Sequence, residues 1–398
     1  MKKYFFQLMA VIVAALLICP ISVWAVEEES KAGEREISIG IEAPHAILME
    51  ASTGTVLYEK DANTARPPAS VTKIMTMLLI FEALEDGKIK LEDTVVVSEK
   101  AASMGGSQVF LEPNEKQTVD TMLKCIAVAS ANDACVAMAE YVSGSEEAFV
   151  NKMNERAKEL GMENTNFVNC NGLDAEGHVT SAYDIALMSR ELLINHPQVH
   201  DYCTIWMDTI VHTTAKGSQE FGLSNTNKLV RQYEYCTGLK TGSTSDAGFC
   251  VSATAKKDGM ELIAVIMKGE TSKSRFQDAV TLLNYGYANY QIYADTDAER
   301  EKLSAIPVKG GVEMEVTPFY EKDFSYLLMN GESLTDVERR LDLPEEISAP
   351  VEKGQKLGTL SYYHGDKKMG EVQILAGQAV DAAKYMDYVD RVWLAWMM

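Results

Sequence analysis

The sequence is short of basic residues, and this excludes one broad class of function. It has 37 Lys and Arg against 58 Asp and Glu, a formal net charge of -21 and a pI near 4.8, and it contains no Lys- and Arg-rich run. Proteins that bind nucleic acids depend on clustered Lys and Arg to neutralise phosphates. We therefore expect no nucleic-acid partner.

Internal repeats and low-complexity linkers are also missing, which argues against repeat and disordered architectures. What is present is a globular composition, with 398 residues that are 46% hydrophobic and 8% aromatic. At about 100–200 residues per domain, this length predicts two or three domains and at least one sizeable core.

Motifs that bind metals are missing as well. The sequence has no CxxC pair, no Cys and His spacing typical of zinc, and no HExxH motif. His196 and His200 have the i,i+4 spacing of a metal pair, but Pro197 lies between them and interrupts the helix that would align them. We therefore expect no metal and no cofactor.

Residues 1–25 have the features of a secretory signal peptide. Lys2 and Lys3 precede an apolar run from Tyr4 to about Ile18, and Ala25 offers a cleavage site before an acidic stretch. The alternative is an uncleaved transmembrane anchor. Cys19 lacks the small preceding residue of a lipoprotein signal, so lipidation is not expected. The protein is therefore predicted to be exported.

Six cysteines remain after the predicted signal peptide. Export and an even count permit disulfides, but several of these cysteines lie in apolar helix or strand patterns, where a free Cys behaves as a small hydrophobic residue. We favour free thiols. The six are Cys125, Cys135, Cys170, Cys203, Cys236 and Cys250.

The periodicity of apolar residues predicts one α/β domain over residues 38–293. A hairpin of short strands (45–51 and 55–58) opens it, and a strong hairpin (248–254 and 261–267) followed by a helix (about 274–290) closes it. Because strands occur at both ends of the domain, one antiparallel sheet flanked by helices should join them. The helices predicted between the hairpins are 70–84, which should be largely buried, 118–129, 132–142, 145–160 and 181–194, the last with Ser181 and Asp184 in a capping-box arrangement.

Residues 295–380 alternate between apolar and polar side chains, which predicts a small all-β domain containing a hairpin of 355–362 with 370–375. Residues 382–398 return to helical spacing, with Trp393 and Trp396 on an amphipathic helix. Such a helix is typical of attachment to a membrane surface. The alternative is a helix that docks on the protein itself, which the near-neutral charge of this segment leaves open.

Three short motifs occur in a fixed order, and the first is Ser70-Val71-Thr72-Lys73. The spacing places the hydroxyl of Ser70 and the amine of Lys73 on one face of the first turn of the predicted helix 70–84. A serine is a poor nucleophile until a base takes its proton, and a lysine can be that base only if its pKa is lowered. Burial lowers the pKa of a lysine, and so does a second cation, for which Lys240 is the candidate.

The second motif is Ser130-Ala131-Asn132, at the junction of two predicted helices. The Ser130 hydroxyl could relay a proton from Lys73 to a leaving amine, and the Asn132 amide could hold a substrate carbonyl. Asn132 and Asp133 could also cap the second helix.

The third motif is Lys240-Thr241-Gly242, followed by Ser243. Lys240 and Thr241 supply a charge and a donor for a substrate carboxylate, and Gly242, having no side chain, would let a substrate backbone lie against the strand. The backbone N–H groups of Ser243 and Ser70 would form an oxyanion hole.

Taken singly, the motifs could be only a helix cap, a helix junction and a turn. Together, in order and behind an export signal, they resemble the serine penicillin-recognising enzymes, which carry an S-x-x-K motif and a K-T-G motif. More narrowly, the sequence resembles the D-alanyl-D-alanine carboxypeptidases among the low-molecular-weight penicillin-binding proteins. The resemblance extends over nearly all of the predicted mature chain, including Asn169-Cys170-Asn171-Gly172-Leu173 and the β-rich domain with its amphipathic tail.

The resemblance implies a β-lactamase/transpeptidase-like fold and removal of the terminal D-alanine from peptidoglycan stem peptides. It implies that Ser70 forms the acyl-enzyme, that Lys73 accepts its proton, that Ser130 is the third active-site residue and that Lys240 binds substrate. It also places Arg275 near the substrate carboxylate and makes β-lactams covalent inhibitors.

Class A β-lactamases resemble this set of motifs too, but they carry a deacylating Glu in an E-x-x-x-N pattern. Here Glu163 is followed four residues later by Phe167, so the pattern fails. Two alternatives nevertheless stay open: a β-lactamase or esterase on the same fold, and a wall-binding module without catalytic activity.

Overall fold

The structure, a computed structural model, describes residues 39–214, 217–296, 300–329, 332, 334 and 336–397. The predicted signal peptide lies outside these residues, as does residue 38, where the catalytic domain is predicted to begin.

Helices occupy the middle of the chain, as the apolar periodicity predicts. Their bounds differ from the predicted ones by a few residues at each end, which is the ordinary uncertainty of helix termini. They are α1 (Lys73–Glu85), α2 (Glu99–Ala102), α3 (Val119–Ala127), α4 (Asn132–Ser143), α5 (Glu146–Glu159), α6 (Ala182–Asn195), α7 (Val199–Cys203), α8 (Leu229–Gln232), α9 (Ser272–Asn289) and α10 (Tyr385–Met397).

The central sheet joins the two ends of the catalytic region, which confirms the predicted arrangement. Its order is β2-β1-β9-β8-β7, and every neighbouring pair is antiparallel. The first strand lies beside the ninth, with Leu48 opposite Ala264. The strands of this region are β1 (His45–Glu50), β2 (Val56–Lys60), β3 (Thr94–Val96), β4 (Lys116–Thr118), β5 (Met207–Thr214), β6 (Gly217–Ser224), β7 (Cys236–Thr244), β8 (Gly248–Lys257) and β9 (Met260–Gly269).

Helix α1 is buried on nearly all sides, as predicted. Of its 13 residues, 10 are buried, and they include Lys73 at its first position. A helix on a protein surface has one apolar stripe, whereas a helix that is apolar all round lies in the core. Helix α1 therefore forms a rigid central element, and whatever precedes Lys73 is fixed at its N-terminal end.

Helix α6 begins after Ser181, as the sequence predicts. Ser181 is its N-cap, and its hydroxyl accepts a hydrogen bond from Asp184 N. The Asp184 carboxylate accepts hydrogen bonds from Asn164 N and the Thr165 hydroxyl. It therefore ties the start of the helix to the loop before it.

The C-terminal part of the chain is rich in β-strands, as predicted. Strand β10 pairs with β14, although residues 290–293 were expected to close the catalytic domain. The predicted hairpin is formed by β17 and β18, with Tyr362 opposite Gly370. The strands are β10 (Tyr290–Asp295), β11 (Ile306–Lys309), β12 (Glu315–Val316), β13 (Pro318–Tyr320), β14 (Phe324–Met329), β15 (Val337–Asp342), β16 (Ile347–Ser348), β17 (Lys356–His364) and β18 (Lys367–Ala376).

Helix α10 lies within the predicted amphipathic segment, whose last residue, 398, is outside the described part of the chain. Eight of its described large side chains are exposed, among them Trp396 at 82% and Val392 at 71%. Among the described residues, no helix has the length and apolar character required to cross a bilayer.

The six cysteines of the described chain are unpaired. Five of them are buried, and Cys236 is partly exposed. Their apolar surroundings agree with the sequence pattern that favours free thiols.

Candidate active site

Ser70 lies in a tight turn directly before α1, and not in the α-helix that the sequence predicts. Residues Ala69–Thr72 form a 3-10 turn, and Ala69 at its start has a φ of +51°. The predicted geometry of the motif nevertheless holds, because Lys73 Nζ donates a hydrogen bond to Ser70 Oγ at 2.9 Å. The turn therefore presents the serine hydroxyl to the amine at the first position of the buried helix.

The Lys73 amine is surrounded by neutral oxygen atoms. It donates to Asn132 Oδ1 at 2.7 Å and to the carbonyl oxygen of Asn171 at 2.6 Å, and the residue is 0% exposed. Burial lowers the pKa of Lys73, because the charged form loses its hydration. A lowered pKa is what allows a lysine amine to act as a base for a serine hydroxyl.

Lys240 lies beside the second motif. Its Nζ donates to Ser130 Oγ at 3.0 Å and to the Thr241 carbonyl oxygen at 3.0 Å. Burial, followed by the charge on Lys73, lowers the pKa of Lys240 to about 7. The sequence analysis expected the two lysines to be close, and the structure buries both of them beside the buried Ser130 and the partly exposed Ser70.

Asn132 connects Lys73 to the loop before α3, in addition to lying next to Ser130. Its Nδ2 donates to the Gly105 carbonyl oxygen at 2.7 Å, and its backbone N–H donates to the Ser107 carbonyl oxygen. The Nδ2 group has two hydrogens, so one of them is left for the predicted substrate carbonyl.

The prediction that Asn132 and Asp133 cap this helix is wrong. The N-cap of α4 is Ala131, which has no side-chain cap. The Asp133 carboxylate instead accepts hydrogen bonds from the backbone N–H groups of Val109 and Leu111. It therefore holds the loop that bears Gly105 and Ser107.

Gly242 is required for a reason that the sequence analysis did not foresee. A Cβ atom at this position would lie 2.7 Å from Ser70 N and 2.8 Å from Val71 N. The space beside the glycine is therefore filled by the Ser70 turn, and not by a substrate backbone. This close approach brings β7, with Thr241 and the exposed Ser243, against the turn that contains Ser70. The Thr241 hydroxyl donates to Thr226 Oγ1 at 2.7 Å.

Arg275 lies behind this strand and is 6% exposed. Its Nη1 donates to the carbonyl oxygens of Gly242 at 2.9 Å and Cys250 at 3.1 Å. The guanidinium also lies over the rings of Phe249 and Phe276. Its hydrogen bonds to these two carbonyl oxygens join β7 and β8, so it supports the strand that carries Lys240 and Thr241.

Sequence reasoning missed two contributors to the site. The Asn171 carbonyl oxygen contacts Lys73, but a backbone carbonyl leaves no signal in a sequence. The buried His178 contacts Thr72, between Ser70 and Lys73, and a lone histidine carries no motif.

Comparison with known proteins agrees with this geometry. A family profile described as "D-alanyl-D-alanine carboxypeptidase" matches residues 29–271, and one described as "Penicillin-binding protein 5, C-terminal domain" matches residues 291–382. The chain belongs to the D-alanyl-D-alanine carboxypeptidase family. The predicted family, fold class and serine carboxypeptidase activity are thereby confirmed.

Relatives of this carboxypeptidase cover most of its length. It is 43% identical over 364 residues to D-alanyl-D-alanine carboxypeptidase DacF of Bacillus subtilis, with 92% of each chain covered. It is 31% identical to D-alanyl-D-alanine carboxypeptidase DacA of Escherichia coli (strain K12), with 89% of each chain covered. The crystal structure of penicillin binding protein 5 from Haemophilus influenzae matches with a TM-score of 0.65 and 30% identity, covering 86% of this chain and 98% of that one.

Proposed function

We propose that this carboxypeptidase removes the terminal D-alanine from peptidoglycan stem pentapeptides through an acyl-enzyme on Ser70. The observation that carries the proposal is the 2.9 Å hydrogen bond from the buried Lys73 Nζ to Oγ of the partly exposed Ser70, near a second buried lysine, Lys240. Export would bring the enzyme to its substrate outside the cytoplasm. β-Lactams would acylate the same serine.

Acylation begins with proton transfer. When Lys73 is neutral, the lone pair of its Nζ accepts the proton of Ser70 as Oγ attacks the carbonyl carbon between the two D-alanines. The negative charge that develops on the carbonyl oxygen is stabilised by the N–H groups of Ser70 and Ser243. Ser130 then gives its proton to the leaving nitrogen and receives one from Lys73, so the C–N bond breaks and D-alanine leaves with a neutral amine.

Substrate binding uses the third motif. The terminal carboxylate of the stem peptide is attracted to the Lys240 ammonium, and the Thr241 hydroxyl can donate to it by turning away from Thr226. Arg275 supports this arrangement from behind, through its hydrogen bonds to the Gly242 and Cys250 carbonyl oxygens. The second hydrogen of Asn132 Nδ2 would hold an amide carbonyl of the peptide.

Hydrolysis of the acyl-enzyme completes the cycle. Water attacks the ester carbon, Ser70 leaves with a proton and the peptide departs as a free acid. The position at which an E-x-x-x-N pattern would place Asn is occupied by Phe167, which is buried and 2% exposed. We therefore expect the penicilloyl-enzyme to persist for hours, whereas a β-lactamase would release it in seconds.

The exposed apolar face of α10 supports attachment to a membrane surface. Trp393 is 59% and Trp396 82% exposed, and aromatic rings of this kind favour the interface between lipid and water.

In vesicle sedimentation, we expect the chain from residue 26 onward to pellet with the lipid and the chain that ends at Ala383 to stay in solution. Phe319→Ser, an exposed aromatic residue outside the helix, serves as the control. If truncation instead lowers the melting temperature and leaves sedimentation unchanged, the helix docks on the protein.

The catalytic proposal is tested by D-alanine release from diacetyl-Lys-D-Ala-D-Ala. The chain from residue 26 onward should release D-alanine and take up a fluorescent penicillin, and Ser70→Ala should do neither. Ser348→Ala, a substitution of an exposed serine in β16, is the matched control and should behave like the parent chain. Covalent labelling of the Ser70→Ala variant would contradict the proposal.

A further inference from the structure

His178 is a buried histidine that the proposed reaction does not use. It is 2% exposed and directly precedes Val179 and Thr180, which pair with Asn166 and Arg66 through isolated bridges. These bridges fix the backbone that follows His178, and the His178 N–H donates to the Ala175 carbonyl oxygen. The imidazole is therefore held in place by the scaffold around the active site.

The hydrogen bonds of His178 have one consistent direction. Its Nδ1 accepts from the Val168 backbone N–H at 2.9 Å, so in the neutral ring the hydrogen lies on Nε2. That Nε2–H donates to Thr72 Oγ1 at 2.9 Å, and the Thr72 hydroxyl donates to the Ala69 carbonyl oxygen at 2.8 Å. A continuous chain thus runs from the scaffold to the start of the nucleophile turn.

This series of hydrogen bonds ends at the Ala69 carbonyl, and the direction of that carbonyl matters for catalysis. The Ala69 carbonyl and the Ser70 N–H belong to one peptide unit, and in a planar trans unit the two groups point in opposite directions. Fixing the Ala69 oxygen therefore fixes the aim of the Ser70 N–H. This unit needs support because Ala69 has a φ of +51°, a conformation that non-glycine residues rarely adopt.

A second contact acts on the same carbonyl. A Cβ atom at Gly172 would lie 1.9 Å from the Ala69 oxygen, so the backbone of residue 172 is packed against it. The carbonyl is thus held by the Thr72 hydroxyl and confined by Gly172. The position of the Ser70 amide follows from these contacts together with the approach of Gly242 on the other side.

We propose that His178 is a positioning residue which, through Thr72, aims the Ser70 N–H at the oxyanion of the transition state. The inference rests on the proposed role of Ser70 and deepens it. His178 itself does not touch substrate. The oxyanion exists only in the transition state and the intermediate next to it. A misoriented Ser70 N–H should therefore lower kcat and leave the KM of a peptide substrate nearly unchanged.

Paired conservative substitutions separate the two ends of the ring. The amide nitrogen of Gln can take the position of Nε2, so His178→Gln keeps the donor to Thr72, whereas His178→Asn keeps only the acceptor for Val168. Thr72→Ser keeps the hydroxyl and Thr72→Val removes it at nearly constant volume. The readouts are kcat and KM for the tripeptide, the rate of acylation by a fluorescent penicillin and the melting temperature.

We expect His178→Asn and Thr72→Val to lower kcat and the acylation rate by about tenfold or more, because a misdirected oxyanion donor is partly lost. His178→Gln and Thr72→Ser should stay within about threefold of the parent chain. The double variant of Asn and Val should be no slower than the slower single variant, because both interrupt one chain.

The proposal is overturned if folded Thr72→Val acylates as fast as the parent chain, or if the Gln and Asn variants at residue 178 are equally slow. Thr72→Val leaves His178 in place, so it decides the question even if the variants at residue 178 do not fold. Ser70→Ala is included in each assay. If that variant is still labelled, the proposed function fails, and this outcome is distinct from a failure of the positioning proposal.

Discussion

At the scale of single residues, the two buried lysines should give the reaction opposite dependences on pH. Lys73 must be neutral to accept a proton, and burial lowers its pKa, so its base form becomes available at lower pH than for an exposed lysine. Lys240 must be charged to bind a carboxylate, and its pKa is lowered to about 7, so its charge is lost as the pH rises through this value. The dependence of kcat/KM on pH should therefore be bell-shaped.

This expectation can be checked with a matched pair of substrates. For a peptide with a free terminal carboxylate, kcat/KM should fall above pH 7. For the same peptide with an amidated terminus, the alkaline decrease should be absent, because Lys240 has no carboxylate to bind. An equal alkaline decrease for both substrates would exclude Lys240 as its cause.

His178 should make the stability of the fold depend on pH. Burial lowers the pKa of its imidazole from 6.5 to about 4, and the charge of Asp174 acts in the opposite direction. Between these values the unfolded chain binds more protons than the folded chain, so the free energy of unfolding falls as the pH falls through this range. The loss amounts to roughly 3 kcal/mol. Urea unfolding at pH 7 and pH 4 should show this loss in the parent chain and not in His178→Gln. If the free energy of unfolding changes equally with pH in both proteins, His178 is not its cause.

At the scale of elements, the approach of β7 to the Ser70 turn is the contact on which the site depends. A methyl group at residue 242 would lie 2.7 Å from Ser70 N, so one of the two elements must move. A shift of about 1 Å in a catalytic geometry can cost about 100-fold in rate. We expect Gly242→Ala to lower penicillin acylation by about that factor.

The control for this substitution is Gly222→Ala in β6, where a Cβ atom would meet nothing within 4 Å. It adds the same methyl group to a strand without a close neighbour and should acylate at the parent rate. If Gly242→Ala also acylates at the parent rate, the close contact is not essential for the geometry of the turn.

The elements also show which features a sequence can predict. The helices from α3 to α6 and the β8–β9 hairpin follow from apolar periodicity and capping residues, because these signals are local. The 3-10 turn at Ser70 does not, because the left-handed backbone of Ala69 is imposed by Thr72, Gly172 and Gly242, which are brought together by the fold. The motifs identified the residues of the cluster, and only the structure explains the roles of Gly242 and Arg275 in packing.

At the scale of the whole molecule, the β-rich C-terminal part has its own buried charges. Asp295 is 0% exposed and accepts a hydrogen bond from Arg339 at 2.8 Å, and the buried Arg300 lies 3.5 Å from its other oxygen. Removing one member of a buried ion pair leaves an unpaired charge, at a cost of about 3–5 kcal/mol. Asp295→Asn should therefore destabilise this part of the chain by several kcal/mol.

The same substitution should leave the reaction unchanged, because the candidate site residues lie between residues 69 and 275. Thermal unfolding and penicillin acylation of Asp295→Asn, measured side by side, test this separation. A parallel loss of acylation at a temperature where the variant is folded would show that the two parts are coupled.

Because the free thiols are buried, the rate at which they are alkylated should report how often the fold opens locally. Alkylating reagents attack only an accessible, ionised thiol, and burial raises the pKa of Cys236 to about 11 and places five other thiols of the described chain out of reach. Iodoacetamide should thus alkylate Cys236 first. Alkylation of each of the other cysteines should require local unfolding of the segment that buries it. Mass spectrometry of the alkylated peptides would then give the rate of local unfolding around each cysteine, without any engineered label.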